Sequence, residues 1–234
     1  MKNVKAYDLP IRIFHWLFAL LFVASFLIAK FVDDESILYS YHMLSGLLMV
    51  FLVILRIIWG FLGSETAKFK SFKLKPKELI NYLKSIMSSH SKRYLGHNPA
   101  SSFAALLMMG LTLGIGFSGY MMSQRIYKHF FEEVHELFAH AFLMIVIIHI
   151  AGVILHQVRH NDGIVFIMFT GRKSKIDDGV EIKSNHNIVA ILFVLIVTSF
   201  GSYLLKSFDR GTGQLNAFGM QVQLGEEVEE EDDD

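Results

Sequence analysis

Long apolar runs, broken by short charged stretches, set the pattern of the chain. A membrane-crossing helix needs about 20 mostly apolar residues, and five windows meet that requirement: Arg12–Phe31, Ile37–Leu62, Ala100–Met122, Phe131–Gln157 and Asn187–Lys206. The first is too long for a secretory signal and has no small-x-small cleavage site in the Ser25–Lys30 stretch. It therefore reads as an uncleaved span. Between the second and third windows, Pro76 suits a first helical position. Leu79, Ile80, Leu83, Ile86 and Met87 then recur at helical spacing opposite Lys77 and Lys84, which predicts a helix lying on the membrane surface. Asn98 and Pro99 read as the cap and first turn of the third span. The expected fold is all-α, with the membrane part in residues 1–210 and a tail over 211–234. That tail ends in the acidic run Gly225–Asp234 and is expected to be solvated and without fixed structure.

Lys and Arg alternate between connections in the way that sets membrane orientation. Lys2, Lys5 and Arg12 precede or open the first span. Lys68, Lys70, Lys73, Lys75, Lys77, Lys84, Lys92 and Arg93 lie between the second and third. Arg159, Arg172, Lys173, Lys175 and Lys183 lie between the fourth and fifth. These three segments belong on one side, which places the amino terminus in the cytoplasm. Asp33, Asp34 and Glu35, the Ser123–Phe130 turn and the tail then face the other side.

Of 234 residues, 53% are hydrophobic and 19% charged, which leaves room for one domain with its apolar surplus in lipid. The net charge of zero gives no basic face for nucleic acid. The absence of cysteine excludes disulfides, iron–sulfur clusters, thiolate zinc and thioether-attached heme. Any metal or heme must be held by His, Met or carboxylate, and eleven His are present.

Ionisable groups inside spans are costly and mark function. His15 sits about one turn into the first span, near the cytoplasmic face, and His42 about one turn into the second, near the outer face. In the fourth span His135 lies near the outer face. His149 follows 14 residues later, about 21 Å deeper and within about 40° of the same direction. Depth pairs His42 with His135 and His15 with His149. Two facing imidazoles on neighbouring helices are what a six-coordinate heme iron requires, so two b-type hemes are expected, one above the other. Gly46 and Gly152 follow His42 and His149 by four and three positions and would let a porphyrin edge approach the backbone. Gly114, Gly116 and Gly119 could do likewise. Arg56, buried on the His42 face, would pair with a heme propionate.

The remaining His residues read differently. His140 lies off the His135 face and suits simple packing. His156 continues the His149 face and competes by depth for His15, although a role at the interface or behind the ligands is preferred; with His97 and Arg56 it is also a candidate for lining an inner quinone pocket. His90, His97, His129, His160 and His186 fall in connections or at helix ends, His97 being the one most suggestive of function. The methionines read as packing.

The stretches Tyr7-Asp8-Leu9-Pro10-Ile11-Arg12-Ile13-Phe14-His15-Trp16, Arg56-Ile57-Ile58-Trp59-Gly60-Phe61-Leu62-Gly63, Tyr94-Leu95-Gly96-His97-Asn98-Pro99-Ala100 and Thr170-Gly171-Arg172-Lys173 resemble motifs of the bacterial cytochrome b-561 family. That family includes the b-type cytochrome subunits of nickel–iron hydrogenases. His135-Glu136 and His149-Ile150-Ala151-Gly152 fall where its fourth-helix ligands lie. The resemblance implies an integral membrane four-helix diheme bundle, here with a fifth transmembrane helix added. It also implies an inner-membrane location and electron exchange between quinone and a periplasmic c-type cytochrome or oxidoreductase subunit. A homodimer is left open, as is the function of the acidic tail in steering a basic partner. Two rivals stand beside this reading: a self-sufficient oxidoreductase taking electrons from a small donor such as superoxide, and a His-lined transporter.

Overall fold

The computed structural model describes residues 3–87, 94–160, 163–174 and 181–224. Among these residues, five helices are long and apolar enough to cross a membrane. They are α1 (Leu9–Phe31), α2 (Ser40–Leu62, extended by a 3-10 turn at Ile37–Tyr39), α4 (Pro99–Ser123), α5 (Lys128–His160) and α7 (Asn187–Ser207), each within a few residues of its sequence window. Many large apolar side chains on them, including Met144, Ile147, Ile148 and Ile154 of α5, are exposed. Such a surface belongs in hydrocarbon, and the chain is a multi-pass membrane protein. At 33 residues, α5 is about 50 Å long, so it extends beyond a hydrocarbon core of about 30 Å.

Helix boundaries follow from capping. Asp8 caps α1, its Oδ1 accepting the Ile11 N–H at 3.0 Å, and Pro10 sits in the first turn, where no donor is lost. Asn98 caps α4 as expected, accepting from the Ser101 N–H at 2.8 Å. α3 (Pro76–Met87) is the anticipated surface helix. Ile80 and Leu83 are exposed on it, while Tyr82 is buried with its ring 5.8 Å from that of Tyr94.

α1 packs with α2 and α4 with α5, and α2 and α4 join the two hairpins. Leu52 and Val53 of α2 are fully buried at the centre. The fifth span, α7, leans on α1 and α2 through Phe193 and Val197.

A clasp closes one end. β1 (Asn3–Lys5) pairs antiparallel with β2 (Arg172–Ser174), Val4 facing Lys173. Arg12 Nε and Trp16 Nε1 donate to the Met168 carbonyl at 3.3 and 3.1 Å, and Arg12 Nη2 donates to that of Phe169. These carbonyls belong to the short α6 (Ile167–Thr170), which ends at Gly171 with φ 70°. Lys173 Nζ donates to the Tyr94 carbonyl at 3.1 Å. All three basic segments therefore meet at one end, which is the grouping their charge predicts.

The opposite end carries a difference from expectation. Residues after 211 are not all a loose tail: β3 (Phe208–Asp209), β4 (Gln214–Ala217) and β5 (Met220–Gln223) form an antiparallel meander. Leu215 and Ala217 alternate with polar neighbours and pack with Leu44 and Leu204, which is enough apolar burial to order the strands. The acidic run 225–234 lies outside the described residues.

Asp8 also ties the clasp to the bundle, since its Oδ2 accepts the Trp59 indole N–H at 3.1 Å and its side chain is fully buried. D8A removes a cap and leaves a buried indole donor unpaired, an expected loss of about 1–3 kcal/mol. A lowered melting temperature in detergent, partly restored by D8N, is the expected result.

Candidate functional site

The inner face of α5 repeats every seven residues: His135, Phe142, His149, His156. A seven-residue step drifts by only about 20° on a helix, so these four side chains form one stripe. Phe142 and His156 are the buried residues of α5. On α1, His15, Phe18, Phe22 and Ser25 follow one another at three- and four-residue steps along a single face. The two faces meet through aromatic rings, with Phe142 5.0 Å from Phe22 and 6.0 Å from Phe18 between centroids. Above and below this phenyl layer lie the two imidazole levels.

At the level towards the meander, the rings of His42 and His135 stand 6.3 Å apart at 66°. His42 Nδ1 lies 3.0 Å from the Ser25 carbonyl and 2.9 Å from the Ser25 hydroxyl. His135 Nδ1 lies 3.1 Å from the Ile115 carbonyl and 3.1 Å from the Ser118 hydroxyl. A carbonyl can only accept, so each Nδ1 carries the proton and each Nε2 keeps its lone pair for a metal. Two imidazoles on opposite sides of one metal, with bonds of about 2 Å, would have centroids at about the separation seen. These residues fit a six-coordinate heme iron.

The second level is nearer the clasp. His15 and His149 are close enough to interact electrostatically. His15 packs edge-on to Trp16 at 5.2 Å, and its Nδ1 is buried without a hydrogen-bond partner among the described residues. Gly46 and Gly152 face open space, since a Cβ at either would meet nothing within 4 Å. Two of the three α4 glycines considered for that role, Gly114 and Gly116, admit neighbouring side chains in place of the cofactor edge expected there. Gly114 admits Phe138 of α5, Gly116 admits Val50 of α2, and Gly119 lies against His135.

Beneath the second level, His97 packs against Tyr7 at 5.3 Å and Phe72 at 4.6 Å. Both its ring nitrogens are buried without partners among the described residues. Burial, then the charge of Arg56, then His149 lower its pKa to about 3. Arg56 is buried as expected; its Nη2 donates to the Ala67 carbonyl at 3.0 Å, while Nη1 has no hydrogen-bond partner among the described residues. Burial raises the Tyr7 phenol above its ordinary range, against the opposing influence of Arg56.

The other His residues separate clearly. His140 is exposed, 3.9 Å from Glu136 one turn before it on the same helix, so the expected packing against a neighbouring helix is absent among the described residues. His129 is likewise exposed beside Glu133 at 3.9 Å. His186 stands edge-on to Trp59 at 5.3 Å. His156 is buried with its ring 4.5 Å from that of His160, and His90 lies outside the described residues. The residues not anticipated from sequence are Ser25, Ser118 and Phe142. A signal existed for all three, because each Ser precedes its His by 17 residues and Phe142 sits midway between His135 and His149.

A membrane bundle whose apolar interior holds imidazoles in pairs at two depths, with no cluster of three or more His, Asp or Glu placed for a bare ion among the described residues, has the build of a membrane cytochrome. Residues 6–171, well over half the chain, match the prokaryotic cytochrome b561 family, and the chain belongs to it. It is a b-type cytochrome carrying heme b and transferring electrons in the membrane. Among similar proteins, a probable Ni/Fe-hydrogenase B-type cytochrome subunit of Rhodobacter capsulatus is 25% identical over 228 residues, covering 76% of this chain and 84% of that protein. One of the same description from Rhizobium leguminosarum bv. viciae is 28% identical over 134 residues, covering 48% of this chain and 56% of that protein. No solved structure matches.

The buried, neutral His97 makes stability depend on acidity. Its folded pKa lies below the ordinary 6.5, so the unfolded chain takes up the extra proton. The stability gained from this difference is complete above about pH 6.5 and is lost as pH falls from there towards 3. The melting-temperature difference between wild type and H97F is therefore expected to move against wild type between pH 7 and pH 4. A difference that stays constant with pH would contradict this burial.

Proposed function

We propose that the chain holds two b-type hemes, the outer between His42 and His135 and the inner between His15 and His149. It would pass electrons between membrane quinone and a redox partner outside the membrane. The paired rings of His42 and His135, each with Nδ1 bound to a carbonyl, carry this reading. When bound, the heme supplies a reversible one-electron centre whose potential depends on its axial ligands and surroundings.

The residues of the chain do the remaining work. α1, α2 and α5 place the ligands, and Gly46 and Gly152 leave room for the porphyrin edges. Arg56 Nη1, buried and without a hydrogen-bond partner among the described residues, would pair with a propionate of the inner heme, since a buried guanidinium needs an anion. His97, with two unpartnered nitrogens in an aromatic wall, lines a quinone site at the same end and can donate to a quinone oxygen.

The basic loops set this end in the cytoplasm of a bacterial inner membrane, with the meander and acidic tail in the periplasm. The hydrogenase subunits among the similar proteins support an oxidoreductase as partner. A periplasmic c-type cytochrome would use the same outer face.

The test is a pyridine hemochrome count with oxidised and dithionite-reduced spectra on the detergent-purified chain. Two hemes per chain are expected in wild type, one each in H135A and H149A, and two in H140A. Two hemes in H149A together with one in H156A would replace His149 by His156 in the inner pair. A folded chain without heme would reject the reading outright.

A further inference from the structure

The two imidazole levels are not held alike. At the outer level each Nδ1–H has two oxygen acceptors, a main-chain carbonyl and a serine hydroxyl. Both serines are buried, at 7% and 0% exposure for Ser25 and Ser118, so water does not compete for their hydroxyls. The Ser118 hydroxyl donates to the Ile115 carbonyl at 3.0 Å, which turns an oxygen lone pair towards the His135 proton. The Ile115 carbonyl and Ser118 hydroxyl thus act on His135 as one unit. The Ser25 carbonyl and hydroxyl both lie within hydrogen-bond distance of His42 Nδ1, from the same residue. The separation of 17 residues recurs in both helical hairpins, α1–α2 and α4–α5. At the inner level, by contrast, His15 Nδ1 is buried with no hydrogen-bond partner among the described residues.

Hydrogen bonding at the far nitrogen of a ligating imidazole makes the near nitrogen a stronger donor. Stronger donation favours the more highly charged ferric iron, and so lowers the potential. We propose that Ser25 and Ser118 are positioning residues that make the outer heme the more reducing of the two. This rests on the assignment of His42 and His135 to one heme and His15 to another.

The experiment is a spectroelectrochemical titration of the full chain in detergent, preceded by a heme count on wild type. Fewer than two hemes in wild type would reject the ligand assignment itself. With two present, H15A, which keeps the outer heme, is expected to retain the lower-potential component. Retention of the higher one would overturn the ordering.

S25A/S118A is expected to shift the lower component positive by about tenfold in its oxidation–reduction equilibrium, about 59 mV for a one-electron couple. The upper component should stay in place. S25T/S118T, which keeps both hydroxyls, should leave the lower potential near that of wild type. An unchanged lower potential in the alanine variant would overturn the proposal, as would an equal shift of both components. If the alanine variant instead loses heme, the threonine variant decides. Two hemes at wild-type potentials there support the role of the hydroxyls, and a shifted potential overturns it.

Discussion

An imidazole buried in hydrocarbon is costly unless its N–H is bonded and its lone pair used, because each unmet polar group there costs several kcal/mol. The outer level of the bundle is arranged around that requirement. The carbonyls of Ser25 and Ile115 point across helix interfaces to His42 and His135, and this settles which nitrogen of each ring is available. Once α1 and α4 serve as acceptors for rings on α2 and α5, the order of the four helices follows. α7 has no ring to serve and packs on the back of α1 and α2 through Phe193 and Val197.

The clasp answers a second constraint. Motifs widely separated in the chain, at Tyr7–Trp16, Tyr94–Asn98 and Thr170–Lys173, meet at one end through Arg12, Trp16, Lys173 and the paired strands β1 and β2. Arg56 and His97 sit within the same assembly, one beside the Ala67 carbonyl and the other between Tyr7 and Phe72. The residues that resemble family motifs are thus largely those that fasten the basic end and wall its buried polar pocket.

Much of this was legible in the sequence. Span positions follow from apolar length, α3 from its spacing and the start of α4 from Asn98. His42 and His135 could be paired by depth alone, since helix rise converts sequence position into height. The meander was hidden because its strands are short and Gln-rich, and their apolar positions gain meaning only once Leu44 and Leu204 are beside them. Gly114 and Gly116 were misread because a small residue that admits a side chain and one that admits a cofactor look alike in sequence. Ser25 and Ser118 escaped notice because a hydroxyl in a span is unremarkable until the ring it touches is known.

The phenyl layer formed by Phe18, Phe22 and Phe142 separates the two imidazole levels. Its rings offer neither a donor nor an acceptor for a hydrogen-bonded wire. An electron can tunnel through such a layer, whereas a proton needs a relay and finds none in these rings. In the two-heme arrangement proposed above, the layer would insulate against ions, so charge moved between the levels would cross that part of the membrane field without being neutralised on the way.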